Sequence, residues 1–364
     1  MKLQNKNILL FSIEPWSEIW YSKHHWAYEL SKKNKVLFFN SPQRWSIKNL
    51  FKPNFKAKKY SKNIKVIDYS NIFPFSSFSY FSTINELLLS KSLKKWLKKE
   101  GINEFIIWSF DPYRFTQPKL LKPILSIFYI TDLFQNKNDK TIVKNSDFVF
   151  SVNKALAEQH KQYKKNILII PHGISKTKTP PIKTKNQMIL MGTFTDRVNL
   201  NLLAKLSQAL PKTKIILYGP QNFRNKKNSL LFKQIINKEN IVYLGYGNLD
   251  KIETELLDSK IALAMYYDNN VANRLNSLKI IQYLSYGKNI VSSFFKDYDK
   301  AHKQGLLKMT DNNDDFINQC ATILENEADQ TLIKKRIDYA SDFLYTNLLT
   351  NIEEYLTNQT NPSL

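Results

Sequence analysis

The chain has 364 residues, 43% of them hydrophobic and 13% aromatic, which suffices for two hydrophobic cores of ordinary domain size. Its 8 glycines exclude a collagen-like chain, and its single cysteine excludes an intrachain disulfide and a cysteine zinc site. The net charge of +23 is uneven, because residues 1–180 hold 31 basic and 12 acidic residues whereas residues 181–364 hold 23 and 19. The first half is therefore expected to bind an anionic partner. The alternative is that its lysines only keep the protein soluble.

Segments that would direct the chain into or across a membrane are not predicted. The apolar run at residues 8–11 reaches Glu14 and Pro15 too soon to form the core of a signal peptide. No stretch approaches the roughly 20 apolar residues that a membrane-spanning helix needs. With one cysteine and no need for oxidising conditions, the expected location is the cytoplasm, in solution or at the inner face of the cell membrane.

The first half of the chain alternates short apolar runs with longer amphipathic stretches. The runs predict strands at residues 7–13, 35–40, 63–68, 104–108, 125–130, 148–151 and 167–170. Helical spacing of apolar residues predicts helices at residues 24–33 and 84–99. Continuous β-branched runs are typical of strands buried on both faces of a parallel sheet. Strands that alternate with helices predict an open, doubly wound α/β sheet.

The pattern stops between residues 173 and 187, where prolines and lysines predict a linker, and then begins again. Further strands are predicted at 188–191, 214–218, 241–244, 261–265 and 289–292, and helices at 200–210, 229–238, 249–259, 277–286, 314–327 and 342–357. The predicted organisation is a Rossmann-like domain at 1–178, a linker at 179–187, a second Rossmann-like domain at 188–340, and a C-terminal helix and tail at 341–364 that crosses back to the first domain. Such sheets bind ligands beyond the carboxyl ends of their strands, so we expect a crevice between the domains.

Several segments stand in a recognisable order. They are MGTFTDRVNLNLL at 191–203, KIILYGP at 214–220, VYLGY at 242–246 with IALAM at 261–265, SLKIIQYLSYGKNIV at 277–291, and, in the first half, SKHHWAYEL at 22–30 and IPHGI at 170–174. Together they resemble glycosyltransferase family 4, especially the bacterial branch that acts in teichuronic-acid, capsule and exopolysaccharide assembly. The resemblance implies a GT-B fold, in which two Rossmann-like domains face a cleft, and transfer of a sugar from a nucleotide donor.

The segment at 277–291 also makes physical sense as the start of a helix that binds phosphate. Free amides at a helix N-terminus, here at Ser277 and Leu278, attract phosphate oxygens, and Lys279 adds a full charge. Gln282 lies three residues further on the same helix face. The resemblance implies further donor-binding residues, which are Gly192, Thr193, Arg197, Tyr218, Gly219 and Tyr246. The alternative is that the basic residues are solvated surface charges and that the tyrosines only pack.

One feature departs from the family pattern. Family 4 typically has two glutamates eight residues apart, and here those positions hold Arg274 and Gln282. The second glutamate of the family binds the donor's ribose hydroxyls. A carboxylate accepts two such hydrogen bonds, whereas an amide accepts with its oxygen and donates with its nitrogen. The donor's sugar and base, and the retaining or inverting outcome, therefore stay open.

Candidate residues for the acceptor side lie in the first half. The resemblance places Asp132 where related enzymes have an acid in the cleft. Asp111 also follows a predicted strand, and His24 and His25 begin the first predicted helix. An inverting transfer needs one such group as a general base. Aspartates after strands also cap helices, and a histidine at a helix start can simply complete a turn, so a structural role is the alternative.

No metal or other cofactor is predicted. The chain has no DxD-type carboxylate pair flanked by strand residues, and its histidines lack a ligand spacing such as HExxH. His24 and His25 point about 100° apart on a helix and cannot both face one metal. Lysine, arginine and helix dipoles usually neutralise the leaving phosphate in GT-B enzymes. The expected co-substrate is a UDP- or GDP-sugar.

A basic stretch of the first half suits an anionic membrane surface. Residues 72–81 include five aromatic residues, and the predicted helix after them carries lysines between apolar residues. Alternatively, the apolar residues are the core face of a Rossmann helix and the lysines are solvated. The expected partners are the donor, a glycan or lipid-linked acceptor and this membrane surface. Nucleic acid is not expected, since no RNA-recognition or helix-turn-helix signature occurs.

Two other functions fit the same architecture. A nucleotide-sugar epimerase would act on its donor alone. A non-catalytic subunit, which Gln282 in place of a glutamate favours, would bind the donor or an anionic surface without transferring a sugar. The predicted function is a metal-independent glycosyltransferase of bacterial surface polysaccharide synthesis.

Overall fold

The computed structural model describes residues 1–18, 20–43, 55–72, 79–133, 138–247, 249–267 and 277–360. The chain divides into two units. Unit 1 contains Met1–His172 together with the stretch from Tyr345 onward, and unit 2 contains Gly173–Leu344. Unit 1 is thus made of two separate lengths of chain, with the whole of unit 2 between them in sequence.

Unit 1 is built on an eight-stranded sheet. Its strands are β1 (Asn7–Phe11), β2 (Lys35–Phe39), β3 (Lys56–Lys59), β4 (Ile64–Asp68), β5 (Ile106–Ser109), β6 (Leu125–Ile130), β7 (Phe148–Ser151) and β8 (Ile167–Ile169). Their order across the sheet is β3-β4-β2-β1-β5-β6-β7-β8, and each described pair is parallel except β3 with β4. Alternate residues of β1 enter two cores, with Ile8 and Leu10 in one and Leu9 and Phe11 in the other. This burial on both faces explains the continuous apolar runs.

The helices of unit 1 come from both lengths of its chain. They are α1 (Ser22–Ser31), α2 (Ser79–Lys99), α3 (Asn138–Asn145), α4 (Lys154–His160) and, numbered last in the chain, α12 (Tyr345–Thr360). In α12, Leu348, Ile352 and Leu356 are spaced by one helical turn and are buried in the same core as Ile8 and Leu10. The predicted return of a C-terminal helix to the first domain is therefore confirmed, with the helix beginning at Tyr345 instead of residue 342.

Unit 2 is built on a six-stranded sheet in which every described pair is parallel. Its strands are β9 (Lys185–Met191), β10 (Lys214–Tyr218), β11 (Ile241–Tyr243), β12 (Ser259–Ala264), β13 (Asn289–Ser292) and β14 (Lys308–Met309), in the order β11-β10-β9-β12-β13-β14. Its helices are α5 (Leu200–Ala209), α6 (Lys226–Ile236), α7 (Leu249–Asp258), α8 (Leu278–Ser285), α9 (Asp299–Lys303), α10 (Asn313–Glu325) and α11 (Gln330–Ser341). Two parallel-sheet α/β units confirm the predicted fold class.

The stretch at 173–187, where the alternating pattern of the sequence stops, is tied to unit 2. The Lys178 amide donates a hydrogen bond of 2.9 Å to the Ser285 carbonyl at the end of α8. The ammonium groups of Lys176 and Lys178 lie 2.6 and 2.8 Å from the carboxylate oxygens of Glu253 on α7. The strand β9 begins at Lys185, inside the range predicted for the linker, where an ion pair of 2.6 Å joins Lys185 to Asp258.

Candidate functional site

The helix α8 begins in the segment that was predicted to bind phosphate. Ser277 is the N-cap residue, and its side chain makes no capping hydrogen bond. Amides that no side chain caps can bind an anion. Ile280, Ile281 and Leu284 are buried with no more than trace exposure, so the helix is anchored by one face. The Tyr298 hydroxyl fixes the same turn by donating a hydrogen bond of 2.9 Å to the Ser277 carbonyl.

Lys279 lies over the loop that follows β9. Its ammonium group donates a hydrogen bond of 2.6 Å to the Tyr266 hydroxyl oxygen and lies 5.1 Å from the centre of that ring. A Cβ atom at Gly192 would stand 2.2 Å from Lys279 Cε and 2.4 Å from Nζ. The lysine therefore passes directly across the backbone of Gly192, and the first turn of α8 meets the carboxyl end of β9.

Gly192 and Gly219 join the ends of three neighbouring strands, β9, β10 and β11. The Gly192 amide donates to the Tyr218 carbonyl at 2.8 Å, and the Gly219 amide donates to the Gly245 carbonyl at 2.8 Å. A Cβ atom at Gly219 would stand 2.2 Å from the Gly192 carbonyl oxygen. Gly192 has φ +119° and Gly219 has φ +139°, which L side chains rarely adopt. Both positions need glycine for conformation and for space.

The loop after β9 presents two of the predicted donor-binding residues to solvent. The side chains of Thr193 and Arg197 are exposed. The Arg197 carbonyl accepts a hydrogen bond of 3.1 Å from the Tyr267 amide, so the loop is fixed against the end of β12. Asp196 accepts from the amides of Arg224 and Asn225 near the start of α6, at 3.0 and 3.2 Å. The backbone of this loop is thus held while its basic side chain remains accessible.

A pair of tyrosines lies where the resemblance implies the nucleobase. The rings of Tyr218 and Tyr246 are 5.9 Å apart between centroids and inclined by 41°. Tyr218 is buried, whereas Tyr246 is 41% exposed and can offer a ring face to a base. The Gly247 amide donates a hydrogen bond of 3.5 Å to the Tyr218 hydroxyl. Gly245 and Gly247 both have positive φ, so the backbone turns sharply beside the exposed ring.

Of the two positions that depart from the family pattern, the structure describes only Gln282. Gln282 is half-buried on α8, one turn after Lys279, and its carbonyl accepts a hydrogen bond of 2.7 Å from Ser285 Oγ. Arg274 lies outside the described residues. Among the predicted donor-binding residues, Gly192 contacts Lys279, Tyr218 and Gly219, and Tyr218 contacts Tyr246.

Two tyrosines that were not among the predicted site residues, Tyr283 and Tyr266, contact the end of β9 and Lys279. Tyr283 Oη accepts a hydrogen bond of 3.1 Å from the Met191 amide at the end of β9. Tyr266 contacts Lys279, as described above. The available signal was its position directly after a predicted strand, because ligands are bound beyond the carboxyl ends of such strands.

Asp132 is the most accessible of the predicted acceptor-side residues. It follows β6 by one residue, and its side chain is exposed. One carboxylate oxygen accepts a hydrogen bond of 2.8 Å from the next amide, that of Leu133. This is the local contact of an aspartate after a strand, and it leaves a second oxygen on an exposed carboxylate.

Asp111 is enclosed in a buried ion pair. Its side chain pairs with Arg114 and accepts a hydrogen bond of 2.8 Å from the Tyr113 amide. Burial raises the pKa of Asp111 above its ordinary value, and the neighbouring guanidinium of Arg114 opposes that rise. The geometry gives Asp111 a role in fixing the loop after β5.

His24 has both ring nitrogens engaged by backbone groups. Nδ1 accepts a hydrogen bond of 3.0 Å from the Tyr21 amide, which leaves Nε2 as the donor to the Pro15 carbonyl at 3.2 Å. Burial lowers the pKa of His24. The ring also stacks on Phe38 with centroids 5.2 Å apart. These contacts fix the N-terminus of α1.

His25 faces the returning C-terminal helix. Its ring stacks on Tyr345 with centroids 5.5 Å apart and an angle of 15°. Burial, with a smaller contribution from His24, lowers the pKa of His25 to about 4. The imidazole is therefore neutral at neutral pH.

A third histidine, His172, lies close to the buried ammonium group of Lys23. The sequence had not indicated Lys23 as a candidate site residue. Lys23 has a side chain 9% exposed and pairs with Glu14 in the loop after β1. Burial, and then the charge of Lys23, lower the pKa of His172 to about 4. His172 Nδ1 is buried without a hydrogen-bond partner among the described residues. The signal was the IPHG turn at the end of the first half.

The basic stretch of unit 1 combines a core face with a charged face. In α2, Leu93 and Leu97 are buried and Trp96 is partly buried, as the core-face interpretation predicted, and Leu89 is buried as well. The intervening lysines are mostly exposed, as are all four residues of the edge strand β3 (Lys56–Lys59). Most of the aromatic stretch predicted beside them, at 73–78, lies outside the described residues. No helix in the described part of the chain is long and apolar enough to cross a membrane.

Carboxylate, histidine and cysteine side chains do not cluster. Across the described ranges, no group of three or more such residues could hold a metal ion. Two basic side chains, those of Lys279 and Arg197, lie at the candidate donor site.

Comparison with known proteins identifies the fold. No protein-family model matches the sequence, and no curated protein matches it. The sucrose-phosphate synthase of Thermosynechococcus elongatus has a similar structure, with a TM-score of 0.72 at 12% identity, covering 99% of this chain and 100% of that chain. Anabaena HepE in complex with UDP and glucose gives a TM-score of 0.68 at 12% identity, covering 97% and 100%.

The lipopolysaccharide outer core galactosyltransferase WaaB is also similar, with a TM-score of 0.64 at 15% identity, covering 97% of this chain and 99% of that one. Identities this low show the fold alone. The fold is the GT-B type, with two Rossmann-like α/β units, as the resemblance implied.

Proposed function

We propose that the protein is a glycosyltransferase that moves a sugar from a UDP- or GDP-sugar to a glycan or lipid-linked acceptor in bacterial surface polysaccharide synthesis. The observation that supports this proposal is the meeting of Lys279, Gly192 and the first turn of α8 at the carboxyl end of β9. Solved proteins of the same fold include one in complex with UDP and glucose. The proposed branch is glycosyltransferase family 4 or a close neighbour, with residues 188–340 for the donor and 1–178 for the acceptor.

The donor's diphosphate would bind at the first turn of α8. The amides after Ser277 would donate to the phosphate oxygens, and Lys279 and Arg197 would supply positive charge. The nucleobase would lie on the exposed face of Tyr246. In the proposed reaction, the bond from the anomeric carbon to the diphosphate oxygen breaks, and the leaving nucleoside diphosphate is neutralised by these cations and by the helix dipole.

The acceptor would bind to unit 1. The acceptor oxygen forms the new bond to the anomeric carbon, and its proton must go to a base. If the transfer inverts the anomeric centre, Asp132 is the proposed base because its carboxylate is exposed. The side chains of Asp111, His24 and His25 are less exposed than that of Asp132, and we assign them to holding the neighbouring loops and helices in place.

Unit 1 is also the proposed contact with an anionic membrane at the cytoplasmic face. The exposed lysines of β3 and α2 support this proposal. Together with the excess of 31 basic over 12 acidic residues in 1–180, they favour a surface that carries negative charge. A lipid-linked acceptor would be presented at such a surface.

Calorimetry with UDP and GDP tests the donor site directly. We expect one of these nucleotides to bind equally well with and without EDTA, because Lys279 and the helix dipole replace a metal. Lys279→Ala removes a charge-assisted contact worth about 1.5–3 kcal/mol, which raises Kd about 10- to 150-fold. The melting temperature should hardly change, since Lys279 is half-buried and outside the core clusters.

Lys205→Ala is the matched control, because Lys205 is an exposed lysine on α5 of the same unit. It should leave nucleotide affinity unchanged. Complete loss of binding on chelation would refute metal independence. An unchanged affinity for Lys279→Ala, with an intact melting curve, would remove Lys279 from the site.

A further inference from the structure

Tyr266 is placed to hold Lys279 at the start of α8. It follows β12 (Ser259–Ala264) by one residue and is half-buried. Its hydroxyl oxygen accepts the Lys279 hydrogen bond of 2.6 Å, and its ring lies 5.1 Å from the ammonium nitrogen. The side chain thus contacts the cation through its hydroxyl oxygen.

Tyr266 is itself fixed from two sides. Its amide donates a hydrogen bond of 2.9 Å to Ser293 Oγ, and Ser293 Oγ donates one of 2.9 Å to its carbonyl. Its ring meets Phe295 edge-on, with centroids 5.5 Å apart and an angle of 86°. Since Phe295 is buried in the core of unit 2, the tyrosine is part of a rigid support.

A lysine at this place needs such a support. The N-terminus of a helix carries partial positive charge, so it repels an ammonium group in its first turn. Lys279 is the second residue of α8. Its long side chain would gain rotational freedom by turning away into solvent. The hydroxyl oxygen of Tyr266 offers partial negative charge that opposes both tendencies. Because a phenol is neutral, it holds the ammonium without cancelling the charge that a phosphate needs.

We propose that Tyr266 is a positioning residue for the donor diphosphate, which acts by fixing Lys279 across Gly192 before the donor binds. This inference rests on the proposed function. It assigns to Tyr266 an effect on the diphosphate part of the donor and none on the nucleoside part. That division separates positioning of the lysine from a general role in the fold.

The test compares Tyr266→Phe with the intact protein by calorimetry, using UDP and uridine, or GDP and guanosine. Phenylalanine keeps the ring and its packing on Phe295 but removes the oxygen that accepts the Lys279 hydrogen bond. We expect Kd for the nucleoside diphosphate to rise about 3- to 10-fold, as for loss of one hydrogen bond, with no change for the nucleoside. Tyr339→Phe removes a hydroxyl elsewhere in unit 2 and should change neither.

A double-mutant cycle shows whether Tyr266 acts through Lys279. In protein that already carries Lys279→Ala, Tyr266→Phe should cause no further loss of diphosphate affinity. An equal additional loss in that background would overturn the inference, as would an unchanged affinity for Tyr266→Phe alone. If the intact protein binds neither UDP nor GDP, the proposed function itself fails, and that outcome is distinct from both.

Discussion

Gly192→Ala brings the backbone of the candidate site into conflict with its lysine. The new Cβ atom would stand 2.2 Å from Lys279 Cε and 2.4 Å from Nζ, where carbon and nitrogen atoms cannot remain. The flexible end of the lysine has to move, because it yields more easily than the backbone of β9. The φ of +119° also places alanine in a region that L residues rarely adopt.

These two effects have separate magnitudes. Displacing Lys279 removes its contact with the diphosphate, so the donor should bind about 10- to 150-fold more weakly, equivalent to roughly 1.5–3 kcal/mol. Backbone strain costs about 1–3 kcal/mol of folding stability. For a unit of this size, each kcal/mol lowers the melting temperature by about 2–4 °C. The variant should therefore stay folded at room temperature while losing most of its donor affinity.

Gly305→Ala separates strain from collision. Gly305 has φ +73°, but a Cβ atom there meets no heavy atom within 4 Å. This variant should lose stability and keep its nucleotide affinity, as measured by differential scanning fluorimetry and calorimetry with UDP and GDP. The reasoning is refuted if Gly192→Ala binds nucleotide as the intact protein does, or if Gly305→Ala loses as much affinity.

Two further predictions concern unit 1. If transfer inverts the anomeric centre, Asp132→Asn should lower turnover roughly 100- to 10,000-fold and leave donor binding unchanged; an inverted product formed at the normal rate would show that another group is the base. The exposed lysines should bind anionic liposomes at low salt and release them at 1 M, where the Debye length falls from roughly 10 Å at 0.1 M to 3 Å. Co-sedimentation checks this, and absence of binding at both salt concentrations would mean that the charge only keeps the protein soluble.

The strands that sequence reasoning predicted are those with a local apolar signal. Residues 125–130 and 214–218 were predicted with the bounds that β6 and β10 have, because both are buried runs. The edge strand β3 reads KAKK and is wholly exposed, so nothing in its own sequence indicates a strand. It forms through antiparallel pairing with β4. Edge strands of this kind depend on a neighbour distant in sequence and often carry lysines.

In the candidate site, too, residues with a local sequence signal were predicted, whereas residues that depend on distant contacts were not. Lys279 was predicted from a local pattern, because a basic residue at a helix start can bind phosphate, whereas Gly192 was implied by the family resemblance. The support from Tyr266 depends on contacts that only the folded sheet creates. In unit 1, His24 was a candidate base, yet its Nδ1 accepts a hydrogen bond from the amide of Tyr21, three residues earlier. Sequence spacing alone could not distinguish a histidine that caps its own helix from a histidine that acts as a general base.

The order of segments in the chain sets the order in which the units can be completed during synthesis. All of unit 2 lies before Tyr345, whereas the core of unit 1 that contains Ile8 and Leu10 also contains residues of α12. On the ribosome, unit 2 can close its core while the sheet of unit 1, made earlier, still exposes apolar surface. Domains usually fold from the N-terminus onward. Here the first sheet to emerge is the last to be completed, because part of its core lies in α12 at the far end of the chain.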